Sequence, residues 1–218
     1  MDKTRLVYVL ALILAGILTL LGCGSTKKPM TAEEYATAAG TFLDQGQYKL
    51  AIENFSRAIS LQPNNAGIYM GRGIAYGLDG QMERAIADFS QAIALRPDDA
   101  SAFLNRGTAY VTQGKWDLAV ADLTKAINLD PNDARAHFSR GNVYLFMNEL
   151  NLAIADWTKT IALQPDNAKA YANRASAYIV MGDIERAIAD LRKVLEVSSD
   201  PELQQRAKVE LQKLGVTP

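Results

Sequence analysis

A fixed period of 34 residues constrains the fold of this chain more than any other feature. The period is easiest to follow in prolines and tyrosines, at Pro63, Pro97, Pro131 and Pro165 and at Tyr76, Tyr110, Tyr144 and Tyr178. Self-similarity at a spacing of about 20–50 residues indicates stacked repeats, in which each repeat contacts only its neighbours. The 218 residues are therefore predicted to form one elongated solenoid, although their number alone would allow one or two globular domains.

Within one period, apolar and small residues follow the spacing of two helices. In the unit that begins at residue 66, Tyr69, Gly73 and Tyr76 lie at i, i+4 and i+7, which places them on one face of a helix. Gly80 ends this helix, and a second apolar-periodic run follows it. Pro97 ends the second run because proline cannot continue a helix. Each unit is thus predicted to be a pair of helices that pack closely at their small residues.

The unit resembles the tetratricopeptide repeat (TPR). It has aromatic residues at unit positions 4, 11 and 24, small residues at 8 and 20, alanine at 27 and proline at 32. Five units fit, at residues 32–65, 66–99, 100–133, 134–167 and 168–199. The resemblance implies an all-α fold, a right-handed α-solenoid of about five helix-turn-helix units. A capping helix over residues 200–214 is expected to cover its end, followed by a tail at 215–218.

The fourth unit departs most from this pattern. His137 stands where an aromatic residue is expected, Asn148 replaces the glycine of the turn, and Thr160 replaces alanine. The fifth unit also departs, because it lacks the proline that ends the other four. We expect His137 to be a packing residue that substitutes for the aromatic ring.

The N-terminal residues have the pattern of an export signal. Lys3 and Arg5 precede an uncharged apolar run over residues 6–21, which is shorter than the roughly 20 residues of a spanning helix. Leu20-Leu21-Gly22-Cys23 resembles the lipobox of bacterial lipoproteins. That resemblance implies a signal peptide at residues 1–22, a diacylglycerol on Cys23 and a linker at residues 23–31. The alternative is an uncleaved signal-anchor helix with an incidental thiol.

A diacylglycerol on Cys23 would supply two acyl chains, which is the number that stable anchoring requires. The expected location is therefore the bacterial cell envelope, with the protein attached to a membrane by lipid. Gly24 stands where, in the resembled lipoproteins, aspartate would retain the protein in the inner membrane. In a cell with two membranes, this favours the periplasmic face of the outer membrane.

Arginine at unit position 7 and aspartate at position 23 occur together. The pairs are Arg72 and Asp88, Arg106 and Asp122, Arg140 and Asp156, and Arg174 and Asp190. The first unit lacks both, with Ala38 and Asn54 at these positions. Joint presence and joint absence predict an ion pair between the two helices of a unit, because guanidinium geometry suits a carboxylate. The alternative is a ladder of arginines that binds an acidic ligand.

The sequence contains few residues that could support catalysis. The one cysteine, Cys23, is expected to be blocked by lipid, so no cysteine–histidine pair is available for catalysis. One histidine and one cysteine also do not make a cluster of metal ligands. No phosphate-binding glycine motif is present. The formal net charge of −1 gives no footprint for nucleic acid. The protein is therefore expected not to be an enzyme and to have no cofactor, metal site or nucleic-acid partner.

The resemblance also implies where a partner would bind. In TPR proteins the first helix of each unit lines a concave groove, chiefly with unit positions 2, 5, 9, 12 and 13. The residues expected there are Met70, Ile74, Leu78, Leu104, Thr108, Arg135, Phe138, Asn142, Leu145, Phe146 and Lys169. Contiguous exposed apolar surface usually marks a binding site, and an apolar groove suits a helix or an extended segment. Alternatively, several of these residues pack against the next unit or the terminal helix.

Two functions follow from the sequence. The first is a membrane-anchored scaffold or adaptor that holds a protein or peptide partner in the concave groove. The second is a homo-oligomeric structural or assembly lipoprotein, similar to lipoproteins that help to assemble pili or secretion channels.

Overall fold

The computed structural model describes residues 29–217, which contain eleven α-helices and no β-strand. The predicted signal peptide and Cys23 lie outside the described residues. The helices are α1 (Ala32–Asp44), α2 (Tyr48–Leu61), α3 (Ala66–Leu78), α4 (Met82–Leu95), α5 (Ala100–Thr112), α6 (Trp116–Leu129), α7 (Ala134–Phe146), α8 (Leu150–Leu163), α9 (Ala168–Val180), α10 (Ile184–Val197) and α11 (Pro201–Lys213).

The first ten helices form five consecutive pairs, joined within a pair by three residues. Each pair packs most extensively within itself and next against the pair before and after it. The first helices of consecutive pairs also contact each other directly. This nearest-neighbour packing is that of a solenoid. The prediction of an all-α repeat solenoid with a terminal helix is confirmed.

Local sequence explains where the helices begin and how the pairs turn. Asp99 and Asp133 end the loops before α5 and α7, and each side chain accepts hydrogen bonds from backbone N–H groups of the first helical turn. Between the helices of a pair the chain passes through the left-handed region, with φ of 68° at Gly114 and 61° at Asn148. Asparagine is among the few residues other than glycine that adopt this region readily, so the turn of the fourth unit keeps its shape.

Small residues set how closely the two helices of a pair approach. Position 20 is alanine in every unit and is fully buried, as at Ala119. Gly73 lies against the ring of Phe89, and a Cβ atom on Gly73 would fall 2.6 Å from Phe89 Cε1. The space beside the glycine is therefore filled by the aromatic ring of the partner helix.

The two ends of the solenoid are finished differently. On α5, Ala102 and Ala109 are buried against the preceding unit, whereas the equivalent residues of α1, Glu34 and Thr41, are exposed. At the other end, Leu211 of α11 is fully buried against the last pair. At the N-terminal end, polar residues replace the apolar residues that other units bury, and at the C-terminal end an added amphipathic helix covers the last pair. Both arrangements allow the end of a repeat array to face water.

Candidate functional site

Each arginine at unit position 7 forms a bidentate ion pair with the aspartate at position 23 of its own unit. In the third unit, Arg106 Nε donates to Asp122 Oδ2 at 2.7 Å and Nη2 donates to Asp122 Oδ1 at 2.8 Å. The other three pairs repeat these contacts within 0.1 Å. Hydrogen bonding to Asp122 raises the pKa of Arg106 above its ordinary value, against the effect of burial. These arginines are therefore charged at neutral pH.

The third guanidinium nitrogen reaches back to the preceding unit. Arg106 Nη1 donates to Ser90 Oγ at 3.0 Å, and the equivalent partners are Ser56 for Arg72, Thr124 for Arg140 and Thr158 for Arg174. Among the described residues no helix pair precedes the first unit, which has Ala38 at this position. The last unit has no following arginine and carries Arg192 in place of the hydroxyl. Each of these guanidinium groups is therefore engaged with an aspartate of its own unit and a hydroxyl of the preceding one, which is the internal ion pair rather than a free row of arginines.

A polar network runs from the core of the fourth unit to its concave side. Trp157 is 0% exposed, and its Nε1 donates to Asn142 Oδ1 at 3.1 Å. Asn173 of the fifth unit donates to the same oxygen at 2.9 Å. Asn142 therefore joins two units, and its side-chain oxygen is already engaged at the surface where it was expected to meet a partner.

His137 occupies a buried position among acceptors. Its Nδ1 lies 3.2 Å from Asp156 Oδ1 and its Nε2 lies 3.2 Å from the carbonyl oxygen of Pro131. The ring thus ties the loop between two units to the carboxylate that Arg140 also binds. This is a packing and bridging position with only 7% of the residue exposed, in line with the role expected from the sequence.

The residues expected in the groove divide into several environments. Leu104 is only 6% exposed and packs in the core with Phe103 and Leu123, so its assignment to the groove is corrected. Met70 and Ile74 are half-buried against α4. Leu104 is buried because the face of α5 that carries it is covered by its neighbours, which spacing along one helix does not reveal.

Two of the expected polar residues are exposed but locally bonded. Thr108 Oγ1 donates to the carbonyl oxygen of Leu104 at 2.8 Å, one helical turn back. The guanidinium of Arg135 pairs with Asp133 at 2.7 Å, and this pairing lowers the pKa of Asp133. Both side chains can reach solvent, yet neither is held in place by groups across a groove.

A concave cleft of about 500 Å³ lies at the C-terminal end, between the first helices of the last two units and α11. Phe138 and Lys169 from the expected set line it. The other lining residues are Ala172, Asn173, Ser176, Leu191, Asp200, Glu202, Leu203, Gln205, Arg206, Ala207, Val209 and Glu210. Half of the cleft is thus built by α11, a wall that the repeat pattern alone did not predict.

Leu78 and Phe146 lie elsewhere, at the edge formed by the turns within each pair. Nine of the thirteen large apolar side chains that are exposed among residues 29–217 lie at unit positions 13–19, so most of them lie along this edge and not in the groove. In the last three units they are Leu118, Phe146, Met147, Leu152, Val180, Met181 and Ile184, which we call the turn edge. Leu145, one position before Phe146, is 37% exposed.

The turn edge is continuous across at least two units. The ring of Phe146 is 63% exposed and stacks on Trp116 of the preceding unit, with centroids 4.9 Å apart and planes inclined by 9°. Leu118 and Met147 line the same shallow depression as Trp116. The sequence carried a signal for this surface, since apolar residues recur at positions 13, 14 and 19, where an exposed turn would normally be polar.

Comparison with known families identifies the repeat. A family profile described as TPR repeat matches residues 41–80, 78–114 and 107–148, and one described as Tetratricopeptide repeat matches residues 168–201. Together they cover more than half of the chain. This chain is a tetratricopeptide repeat protein. TPR arrays are protein-interaction scaffolds, so binding of another protein is the class of function that the fold supports.

Solved TPR structures superpose on most of this one. A crystal structure of MamA is 27% identical with a TM-score of 0.69, and covers 72% of this chain and 92% of its own. YrrB, described as a TPR protein with an unusual peptide-binding site, is 24% identical with a TM-score of 0.67, over 81% of this chain and 91% of its own. PilF of Pseudomonas aeruginosa is 17% identical with a TM-score of 0.76, over 84% of each chain. A comparison with curated protein sequences gives no significant match.

Neither a cluster of metal ligands nor a helix that could span a membrane is found among the described residues of this TPR protein. Among residues 29–217, no three or more histidine, cysteine or carboxylate side chains are grouped as metal ligands would be. Within the same range, no helix has both the length and the apolar character that crossing a membrane requires.

Proposed function

We propose that this TPR protein is a lipid-anchored adaptor of the bacterial cell envelope, which holds a peptide or helix of a protein partner in its concave groove. The C-terminal cleft carries the proposal. Its volume of about 500 Å³ lies within the range of about 300–1,000 Å³ typical of ligand sites, and it is open to a segment that enters along the groove.

The lining of the cleft suits an amphipathic segment. Phe138 and Val209 offer apolar surface from opposite walls, and Lys169, Arg206 and Glu202 add charges that form no ion pair within the described residues. Apolar contacts supply the driving force for binding, while unpaired charges at the rim fix the direction of the bound chain. The peptide-binding site of the structurally similar YrrB is consistent with this type of ligand.

A lipid on Cys23 would keep the groove close to the membrane. Eight residues separate Cys23 from Ala32, where α1 begins. Even fully extended, they span at most about 28 Å. A partner bound in the groove would therefore be concentrated in a thin layer at the membrane, which raises its effective concentration there.

The groove is tested by site-specific photocrosslinking in the native cells. A crosslinker at Ser176, inside the cleft, is compared with one at Lys125, an exposed residue on the second helix of the third unit. We expect one dominant protein to be captured from Ser176 and not from Lys125. The captured protein is then purified, and its binding is measured with Phe138→Glu, which places a charge on the apolar wall. A partner that binds this variant with unchanged affinity would show that the cleft is not its site.

The anchor is tested separately. Cys23→Ala removes the thiol that would carry the lipid, so the protein should move from the membrane to the soluble fraction or remain as an unprocessed precursor. Mass spectrometry of the wild-type protein should show a diacylglyceryl cysteine at its N-terminus. A wild-type protein that keeps residues 1–22 and has an unmodified thiol would favour the signal-anchor alternative.

The homo-oligomeric alternative gains no support from the first end of the solenoid. Glu34 and Thr41 are exposed at the positions through which other units stack, so a second copy would not extend the array there by the same packing. Sedimentation over a range of protein concentrations separates the two functions, since an adaptor without its partner should remain a monomer.

A further inference from the structure

The turn edge is a second apolar surface, separate from the groove of the proposed function. It lies at the C-terminal ends of the first helices and the N-terminal ends of the second helices, whereas the cleft is lined by the middle of α9 and by α11. Val180 is 70% exposed and Phe146 is 63% exposed. Large side chains at this exposure lose favourable burial, and contiguous exposed apolar surface usually marks an interaction site.

The charges beside these side chains are mainly negative. Asp117, Glu149 and Glu185 contribute one exposed carboxylate from each of the last three units, and none of them forms an ion pair with another residue in the range 29–217. Arg186 is neutralised by Asp183 and lies over the ring of Tyr178. Lys115 is then the one remaining cation in these three turns.

Each of the last three units contributes exposed apolar side chains and one of these carboxylates to the edge, with Asp117 and Glu185 at unit position 18 and Glu149 two residues earlier, at position 16. The first helices of consecutive units pack directly, and packed helices lie roughly 8–10 Å apart. An α-helix advances about 10.5 Å in seven residues, which is two turns. A helix laid along the turn edge with one apolar stripe and one basic residue per heptad would therefore meet an apolar group and a carboxylate at each unit.

We propose that the turn edge binds an amphipathic helix of a partner protein that carries lysine or arginine at intervals of about seven residues. Its apolar stripe packs on Phe146, Leu152 and Val180, and its cations pair with Asp117, Glu149 and Glu185. The three carboxylates favour a basic helix over an anionic lipid surface, because they would repel the negative charge of the lipids. Trp116 is partially exposed, so its fluorescence should change when the bound helix covers it. Trp157 is fully buried, and its fluorescence should contribute a constant background.

The test uses a synthetic peptide of about three heptads with leucine on one face and one lysine per heptad, which lacks tryptophan. Binding is followed by the fluorescence of Trp116, and we expect a saturable change that weakens as salt is raised. A peptide with glutamate in place of each lysine should bind at least about tenfold more weakly. Equal binding of both peptides, or no saturable change with either, would overturn the proposal.

Two matched pairs of variants locate the site. Glu149→Gln with Glu185→Gln removes two carboxylates from the edge and should weaken binding about fivefold, whereas Asp98→Asn with Asp166→Asn removes two exposed carboxylates from inter-unit loops and should not. Val180→Ser should weaken binding, and Leu61→Ser, which removes a leucine exposed elsewhere, should leave it unchanged.

Three further outcomes count against the proposal. Loss of peptide binding with Phe138→Glu would place the peptide in the cleft, so this variant separates the turn edge from the groove. A fluorescence change with phosphatidylglycerol or phosphatidylcholine vesicles and not with the peptide would assign the edge to a membrane. Self-association of the protein that Val180→Ser abolishes would assign it to a second copy of this chain. A failure of the groove experiment alone leaves the peptide result intact.

Discussion

The third and fourth units share one scaffold and differ in what fills it. Arg106–Asp122 and Arg140–Asp156 have the same geometry within 0.1 Å. Around that common pair, four positions that are apolar in the third unit carry a polar group in the fourth. Phe103, Gly114, Leu123 and Ala126 correspond to His137, Asn148, Trp157 and Thr160.

Each buried polar group gained by the fourth unit has a partner. His137 lies between Asp156 and the carbonyl oxygen of Pro131, Trp157 donates to Asn142, and Thr160 donates to the carbonyl oxygen of Asp156 at 3.0 Å. An unsatisfied buried polar group costs about 1–3 kcal/mol. The comparison teaches that the repeat tolerates a change from apolar to polar where the neighbouring backbone or side chain already offers an acceptor.

The largest difference between the units should appear when the ion pair is broken. Arg106→Ala leaves Asp122 buried without a cation and should lower the free energy of unfolding by about 3 kcal/mol. Arg140→Ala should cost about 1 kcal/mol less, because His137 Nδ1 remains beside Asp156. Chemical denaturation of both variants measures the difference. An equal loss of stability would mean that His137 does not support the carboxylate.

The second test adds a methyl group at the closest helix approach. A Cβ atom on Gly141 would lie 2.8 Å from Trp157 Nε1, and one on Gly107 would lie 3.0 Å from Leu123 Cγ. The side chains of Trp157 and Leu123 are both fully buried and cannot move aside freely. Gly141→Ala should cost about 2 kcal/mol net, and Gly107→Ala about 1 kcal/mol, after the helix propensity gained from alanine. The reverse order in thermal melts would show that the tryptophan side has the looser packing.

The third test exchanges the turn residues. Asn148→Gly should raise the free energy of unfolding by about 0.5 kcal/mol, because glycine adopts φ of 61° without steric cost. Gly114→Asn should lower it by a similar amount. Opposite signs of the two shifts in melting temperature are the expected result. Two shifts of the same sign would show that the two turns do not have equivalent backbones.

The smallest effect concerns the cap of α7, where Arg135 binds Asp133. Arg135 lowers the pKa of Asp133 in the folded protein, so the stabilisation is present above the unfolded pKa of about 3.9 and is lost as pH falls through the folded value. Because Arg135 is largely exposed, the ion pair should contribute only about 0.3 kcal/mol. Arg135→Gln, which keeps the cap, should approach the stability of wild type as the pH falls below the lowered pKa of Asp133 and be slightly less stable at neutral pH. A difference in stability between Arg135→Gln and wild type that persists in acid would show that the aliphatic part of the Arg135 side chain contributes through packing.

The period by itself determined the architecture. The 34-residue spacing assigned the helix pairs, and the apolar spacing within residues 200–214 assigned the terminal helix, because apolar residues three and four apart define a helix face whatever surrounds it. It also paired arginine at position 7 with aspartate at position 23, since both appear and disappear together. The hydrogen bond from each arginine to the preceding unit is also detectable in the sequence, because a serine or threonine at unit position 25 always precedes a unit that carries the arginine.

The tertiary structure alone decided which helix faces remain open. Leu104 and Phe146 both belong to the set expected in the groove, yet one is buried in the core and the other stacks on Trp116 at the turn edge. The cleft likewise depends on where α11 comes to lie. Helical periodicity fixes the angle of a side chain about its own axis, but exposure depends on how neighbouring units are rotated and stacked. Side-chain packing between units sets that rotation, and it is not written in the spacing of residues along one helix.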